Sequence, residues 1–189
     1  MDPLQSLMEE HRVIERVLDA LEQYVERSRT ASVADCQAEL LRFVEFIQKF
    51  ADKCHHAKEE DILFTEMVEA GFSREAGPLG VMLHEHEQGR AFVRELKRLG
   101  EQEVPWTDAD REELSKAASG YIGLLRQHIR KEDGVLYPMA ESNLPADAMK
   151  SIGQRFREFE QSEARTGEHA RLHRLADELA GRYLDSTAR

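Results

Sequence analysis

The chain has 189 residues, enough for one domain with a substantial core, and 26 Lys and Arg against 37 Asp and Glu give it a formal charge of −11. Because this charge repels nucleic acid and anionic lipid, we expect neither a nucleic acid nor a membrane among its partners. No apolar run approaches the roughly 20 residues of a spanning helix, and no basic-then-apolar signal segment opens the chain. We therefore predict one cytoplasmic domain over residues 1–189.

Apolar residues at helical spacing predict the first two helices. The first apolar stripe, residues 4–25, contains His11 where a core aliphatic residue is expected. The second stripe, residues 40–62, turns polar at His55 and Glu59. Both stripes indicate helices that bury an ionisable side chain among aliphatic ones.

Two further helices repeat this arrangement. The third stripe, residues 79–96, contains His86, and the fourth, residues 114–135, contains His128 and Glu132. His84 lies about 200° around the third helix from this stripe and should face elsewhere.

Capping signals and a proline mark the ends of the fourth helix. Thr107 with Asp110 is a capping-box signal for its start, and Pro138 is expected to end or kink it. Four amphipathic helices with short connections predict an all-α antiparallel up-down-up-down four-helix bundle over about residues 3–141. Two additional C-terminal helices, over about residues 144–185, should pack outside it.

The second and fourth helices share the motif H-x-x-x-E-[ED]-x-x-L-[FY], which starts at His55 and again at His128. Residues i and i+4 differ by about 40° around a helix, so each imidazole and its carboxylate lean the same way. Burying Glu59 and Glu132 without cations costs several kcal/mol each, and the stripes place no Lys or Arg beside them. A pair of metal ions supplies the missing charge. Nitrogen and oxygen ligands suit iron or manganese, with zinc as an alternative.

His56 leaves two interpretations open. With Glu59 between them, His55 and His56 can flank one carboxylate, which gives five imidazoles and two carboxylates as ligands. Alternatively, His56 and Glu60 form an exposed i,i+4 pair. The predicted ligands are His11, His55, His56, Glu59, His86, His128 and Glu132, with Glu60, His84, His169 and His173 as weaker candidates.

These motifs together resemble the hemerythrin-like, or HHE cation-binding, family over residues 4–140. The resemblance implies a four-helix bundle that holds two irons bridged by both glutamates and an oxo or hydroxo group. By position, His11 and His55 would serve one iron, and His86 and His128 the other. Met82 stands where oxygen-carrying hemerythrins have a further histidine.

The tail and the two cysteines carry weaker signals. His169 and His173 are spaced to bind a surface metal, although such pairs more often pack and hydrogen-bond. Cys36 and Cys54 lie roughly 27 Å apart along one predicted helix and cannot pair within it. Cys54 is interpreted as a small buried hydrophobic residue, with a redox role as the alternative.

Two functions follow as expectations. The first is a di-iron protein that reacts with oxygen, peroxide or nitric oxide, for sensing or detoxification, with oxygen- or peroxide-reducing activity as one form. The second is an iron storage or donation module related to iron–sulfur repair proteins. Those proteins add a cysteine-bearing N-terminal domain, whereas this chain begins at its first helix, so we rank the second function lower.

Overall fold

A computed structural model describes residues 2–29 and 33–184, apart from the side chains of residues 33–35 and 163–166. Four long helical segments form a bundle: α1 (Pro3–Ser28); α2 (Val33–Phe46) continued by π1 (Ile47–His56), π2 (Glu59–Leu63) and α3 (Phe64–Glu69); α4 (Gly77–Gly100); and α5 (Asp108–Lys131) continued by π3 (Glu132–Leu136) and α6 (Tyr137–Asn143). Two further helices follow, α7 (Ala146–Gln161) and α8 (Glu163–Leu184). The prediction of an all-α bundle with two extra helices is confirmed.

Neighbouring bundle helices run in opposite directions. The end of α1 lies beside the starts of both α2 and α5. The Tyr24 hydroxyl near the end of α1 donates a hydrogen bond of 2.7 Å to the Cys36 carbonyl near the start of α2. Arg111 at the start of α5 donates to the Ser28 carbonyl at the end of α1.

The two C-terminal helices cover one side of the bundle. α8 lies along α1 and α2. The centroid of its Tyr183 ring lies 5.8 Å from that of Tyr24 and 5.6 Å from that of Phe43. α7 contacts α1 and π2. This cover lies over the helices that carry His11 and His55.

The start of α5 follows the predicted capping signal, whereas Pro138 does not act as predicted. The Thr107 hydroxyl accepts from the Asp110 backbone N–H at 3.2 Å, and the Asp110 carboxylate accepts from the Thr107 N–H at 2.7 Å, as the capping box predicts. Pro138, expected to end or kink the fourth helix, instead lies in the first turn of α6, which continues to Asn143. The π-helical turn before it, in which the Tyr137 N–H bonds to the Glu132 carbonyl five residues back, widens the helix where the proline ring would otherwise clash.

A layer of buried polar residues divides the core in two. On one side lie Ile14, Phe50, Val93 and Leu125, and on the other lie Leu7, Leu63, Met82 and Leu136. Each bundle helix therefore passes once through the polar layer, between two hydrophobic clusters. Among the described residues, none of the helices is both long and apolar enough to cross a lipid bilayer.

Candidate metal centre

The two H-x-x-x-E motifs end in matching π-helical turns. The Phe64 N–H bonds to the Glu59 carbonyl, as the Tyr137 N–H bonds to that of Glu132, each five residues back. The sequence predicted ordinary α-helix here. Such turns often occur at functional sites, because they redirect side chains at a cost in helix regularity.

Seven predicted ligand residues meet in the polar layer, and all of them are buried. They are His11, His55, His56, Glu59, His86, His128 and Glu132. They form two groups of four, within each of which the ligand atoms lie no more than 4.8 Å from one another: His11, His55, Glu59 and Glu132 in one, and His56, Glu59, His86 and His128 in the other. Glu59 belongs to both groups, which places the two groups side by side.

The Nε2 atoms of four histidines face the two central carboxylates. His11 Nε2 lies 3.2 Å from Glu132 Oε2, and His128 Nε2 lies 3.1 Å from Glu132 Oε1. The Nε2 atoms of His55 and His86 each lie 3.6 Å from Glu59 Oε2. Glu132 therefore also spans the two groups.

Behind the centre, each of these four histidines pairs through Nδ1 with a carboxylate. The pairs are His11 with Asp133 (2.7 Å), His55 with Glu10 (2.9 Å), His86 with Glu60 (2.6 Å) and His128 with Glu85 (3.0 Å). An ionised carboxylate can only accept, so each Nδ1 donates and each neutral ring keeps its lone pair on Nε2. This is the tautomer that a metal ligand needs.

Each outer carboxylate is in turn neutralised by a cation. Arg12 binds Asp133, Lys58 binds Glu10, Arg90 binds Glu60 and Lys131 binds Glu85. The arrangement repeats with the sequence motif, since Lys58 and Lys131 occupy equivalent positions. The outer layer is thus balanced in charge, whereas Glu59 and Glu132 contact no Lys or Arg among the described residues.

Two residues break the symmetry between the halves. The His56 ring stacks on the His86 ring, with the ring centroids 3.8 Å apart. In the second motif the position equivalent to His56 is Ile129. On the other side, the Tyr137 hydroxyl donates to Glu59 Oε1 at 2.7 Å, where the first motif has Phe64. One half therefore has an extra imidazole and the other a phenol.

The four weaker candidates lie outside the two groups. Glu60 binds His86 Nδ1 and Arg90 rather than facing the centre. His84 is exposed and hydrogen-bonds with Gln88 at 3.0 Å, as its position around the helix predicts. His169 and His173 lie on α8 with ring centroids 4.6 Å apart.

Several buried atoms at the centre have no hydrogen-bond partner among the described residues. They are Glu59 Oε2, both carboxylate oxygens of Glu132 and His56 Nδ1, which lies 3.5 Å from Asp52 at the outer limit for such a bond. The Nε2 atoms of His11 and His128 lie 3.2 and 3.1 Å from the Glu132 oxygens, but a neutral ring that donates through Nδ1 has no proton on Nε2 to give them. Buried polar atoms are rarely left unsatisfied unless something else binds them. His86 Nε2 and His128 Nε2 also face each other at 3.0 Å, which two lone pairs cannot do without a proton or a cation between them. The donor set therefore fits bound cations.

Without metal, protons partly balance the charge. Burial and the charge of Glu132 raise the pKa of Glu59 well above its ordinary value. Burial lowers the pKa of His128, but Glu132 and Glu85 outweigh it and raise that pKa to about 9. Burial, reinforced by neighbouring histidines, lowers the pKa values of His55 and His86 to about 3.

These shifts predict that metal loading releases protons. With a pKa of about 9, His128 keeps a proton at pH 7 in the metal-free protein, and the raised pKa of Glu59 favours a proton there as well; any such proton must leave before these atoms bind a cation. Affinity should therefore rise with pH up to about 9, by as much as about tenfold per pH unit for each proton released. Calorimetric titration in buffers of different ionisation enthalpy measures this release. Proton-neutral binding at pH 7 would contradict the prediction.

Comparison with known proteins agrees with this geometry. Residues 2–140 match the family model of the hemerythrin HHE cation binding domain. An uncharacterised protein of Mycobacterium tuberculosis is 22% identical over 176 residues, which cover 93% of this chain and 67% of that protein. The iron-sulfur cluster repair protein YtfE of Musicola paradisiaca is 37% identical, and that of Salmonella newport 34%, each over 89 residues that span 46% of this chain and 40% of the relative. The chain belongs to the hemerythrin HHE cation-binding domain family.

Three of the four outer carboxylates, Glu10, Glu85 and Asp133, were not among the predicted site residues, and neither was Tyr137; the fourth, Glu60, was a weaker candidate. Glu10 and Glu85 each precede a predicted ligand in sequence, yet they bind His55 and His128 on neighbouring helices. Consecutive helical residues point about 100° apart, so the two side chains of each Glu-His pair reach different partners. The recurrence of Glu-His before both motifs was the available signal.

Proposed function

We propose that the protein is a non-haem di-iron protein whose centre reacts with a small oxidant such as oxygen, peroxide or nitric oxide. The observation that supports this most is the pair of buried four-residue groups that share Glu59. Two carboxylates that each reach two groups can bridge two metals roughly 3.5–4 Å apart. Manganese or zinc would fit the same atoms, and metal analysis separates these possibilities.

Each ligand has a distinct place in the proposed centre. His11 and His55 would hold one iron, and His86 and His128, with His56, the other. Glu59 and Glu132 would bridge them, together with an oxo or hydroxo group. The iron pair would supply redox electrons and roughly two open coordination positions out of about twelve for two octahedral ions.

A cavity gives small molecules access to the His56 side. It has a volume of about 180 Å³ and is lined by His56, Asp52 and Arg90 together with apolar residues that include Val93 and Leu125. Arg90 is held by Asp52 at 2.8 Å and by Glu60 at 2.7 Å, which leaves a polar rim and an apolar wall. Such a wall limits water and suits a diatomic molecule or peroxide.

Tyr137 offers a proton donor on the opposite side. Burial and the charges of Glu59 and Glu132 raise the pKa of Tyr137 well above its ordinary value, so the phenol stays protonated. Its hydroxyl lies 2.7 Å from Glu59 Oε1 and 3.4 Å from His11 Nε2. It can orient Glu59 and hold a proton beside the atoms where charge would change.

The test is the behaviour of protein purified without oxygen. We expect close to two irons per chain, rapid oxidation by air without a long-lived coloured oxygen adduct, and consumption of peroxide by the oxidised protein. A centre with open positions favours turnover, whereas a stable adduct needs a site closed to further ligands. An adduct that releases oxygen unchanged under vacuum would indicate reversible oxygen carriage instead.

The role of His56 can be tested against His84. His56→Ala should change the optical spectrum of the oxidised centre and weaken iron binding, because His56 lies in the second ligand group. His84→Ala, its exposed control on α4, should change neither. Equal effects would argue against His56 as a ligand.

Iron storage or donation is the second candidate, and its support is the likeness to the iron-sulfur cluster repair proteins over 89 residues. Donation predicts that the reduced protein gives up its iron to a chelator within minutes and to an apo iron–sulfur protein. The oxidant-reactive function predicts that iron stays bound through repeated oxidation and reduction. Iron content after each cycle decides between them.

A further inference from the structure

A third group of potential ligands lies outside the two central ones. It consists of Glu10, Cys54 and His169, whose ligand atoms lie within 4.8 Å of one another. The three residues come from α1, π1 and α8, so only the folded chain brings them together. Neither predicted bridging glutamate takes part.

The group opens onto its own cavity. This cavity, of about 220 Å³, lies between π1, α7 and α8, and Cys54 and His169 line it with Phe159 and Leu172. The His169 side chain is 33% exposed, whereas Glu10 is 7% exposed. The His169 ring also packs against Phe50 at 5.8 Å, which fixes its position. A ligand could therefore enter from solvent and meet a carboxylate at the inner end.

Carboxylates offset the charges of the lysines around the group. Lys58 Nζ lies 2.5 Å from Glu10 Oε1 and 2.9 Å from Glu160 Oε1, so two carboxylates face this one ammonium. Lys49 and Lys53 also line the cavity, and Lys49 pairs with Glu45 at 3.0 Å and Glu168 at 3.3 Å. A Cys54 thiolate would add a further negative charge at the cavity wall.

We propose that Glu10, Cys54 and His169 form a third, mononuclear metal site that takes a divalent ion such as Zn²⁺, with its fourth position open to the cavity. One sulfur, one nitrogen and one oxygen ligand are a donor set that zinc accepts, and three protein ligands with a fourth position open to water or a small ligand are a known zinc arrangement. On binding, the Cys54 S–H bond breaks, a sulfur–metal bond forms and the proton leaves to the buffer. No electron is transferred.

This site shares one residue with the surroundings of the central groups. Glu10 Oε2 accepts from His55 Nδ1 at 2.9 Å, while Oε1 lies on the side of His169, 3.9 Å from its Nε2. An ion at the third site would compete with Lys58 for Oε1 and leave the bond to His55 in place. The proposal does not rest on the di-iron function, because none of its three residues belongs to the two central groups.

The test is titration of the purified protein, with its native metal in place, using Co²⁺ as the probe. We expect one additional equivalent of Co²⁺ to bind with a near-ultraviolet thiolate-to-cobalt absorption band, which Zn²⁺ then removes. Cys54→Ser should abolish the band, and His169→Ala should weaken Co²⁺ binding at least about tenfold. Cys36→Ser and His173→Ala are the matched controls and should keep the band.

Three outcomes would overturn the proposal: Co²⁺ bound without the band in the unaltered protein, a band that persists in Cys54→Ser, or equal losses in His169→Ala and His173→Ala. Iron content and helicity measured on every variant separate loss of this site from loss of the central metal or the fold. Because His169 is partly exposed on an outer helix, its replacement leaves the bundle core intact.

Discussion

Glu59→Gln should abolish tight metal binding without destabilising the metal-free protein. Burial and the charge of Glu132 raise the pKa of Glu59 and so favour its neutral carboxyl when no metal is bound, which a neutral amide of the same shape replaces at little cost. Tyr137 can still donate to the amide oxygen. A neutral amide, however, is a poor bridge between two cations. Since loss of an outer hydrogen-bond partner alone costs 10–100-fold in affinity, we expect a loss above about 100-fold.

The measurement combines metal analysis with thermal unfolding of metal-free protein. Metal content should fall well below two ions per chain, while the melting temperature of the metal-free variant stays the same or rises. Glu141→Gln, on the exposed surface of α6, is the control and should change neither. Full metal retention in Glu59→Gln would remove the bridging role from Glu59. A large loss of metal-free stability would instead make Glu59 a structural residue.

Lys58→Met should destabilise the fold by about 3–5 kcal/mol, the range for removing one partner of a buried ion pair. Lys58 is fully buried, contacts Glu10 and Glu160, and lies 5.4 Å from the centre of the Phe156 ring. Methionine preserves most of the aliphatic volume but leaves the Glu10 charge without its ammonium. The pKa of Glu10 lies well below its ordinary value despite burial, because His169, His55 and Lys58 stabilise the carboxylate, so the ionised form persists at pH 7.

Lys131→Met is the matched control, since Lys131 occupies the equivalent position of the second motif and is 39% exposed. Lys131→Met should lower the free energy of unfolding by less than about 1 kcal/mol. Urea unfolding of both metal-free variants gives the comparison, and adding Glu10→Gln to Lys58→Met should restore part of the lost stability. Equal losses in the two lysine variants would show that burial at Lys58 carries no extra penalty.

The residues of the two central groups could be predicted from the sequence, whereas the carboxylates and cations behind them mostly could not. His55 and Glu59 share one helix, so periodicity alone places them on a common face. Glu60 has the same spacing from His56 as Glu59 has from His55, yet it crosses to His86 on another helix. Its partner depends on how two helices are rotated against each other, which a single sequence does not specify.

Other differences have similar physical causes. In the π-helical turns, the backbone N–H groups of Phe64 and Tyr137 bond to carbonyls five residues back. No residue type in the sequence near Glu59 or Glu132 indicates this change. Pro138 does not end its helix, because the π-helical turn before it replaces the α-helical hydrogen bonds that a proline interrupts. Lys58 was not recognised as buried, since part of its cover comes from Glu160 on α7, far away in sequence.

The polar layer between two hydrophobic clusters has a consequence for how the protein unfolds. In an ordinary bundle one continuous core makes unfolding a single cooperative event, but here Leu7 and Ile14, two turns apart on α1, belong to different clusters. The side-chain contacts between the two clusters, across the polar layer, are mainly ionic. Their strength depends on the protons or cations that neutralise Glu59 and Glu132. Cations bound there would link the four bundle helices to one another within the polar layer. Their loss would lower the cooperativity between the two ends of the bundle, so that one end can open while the other stays folded.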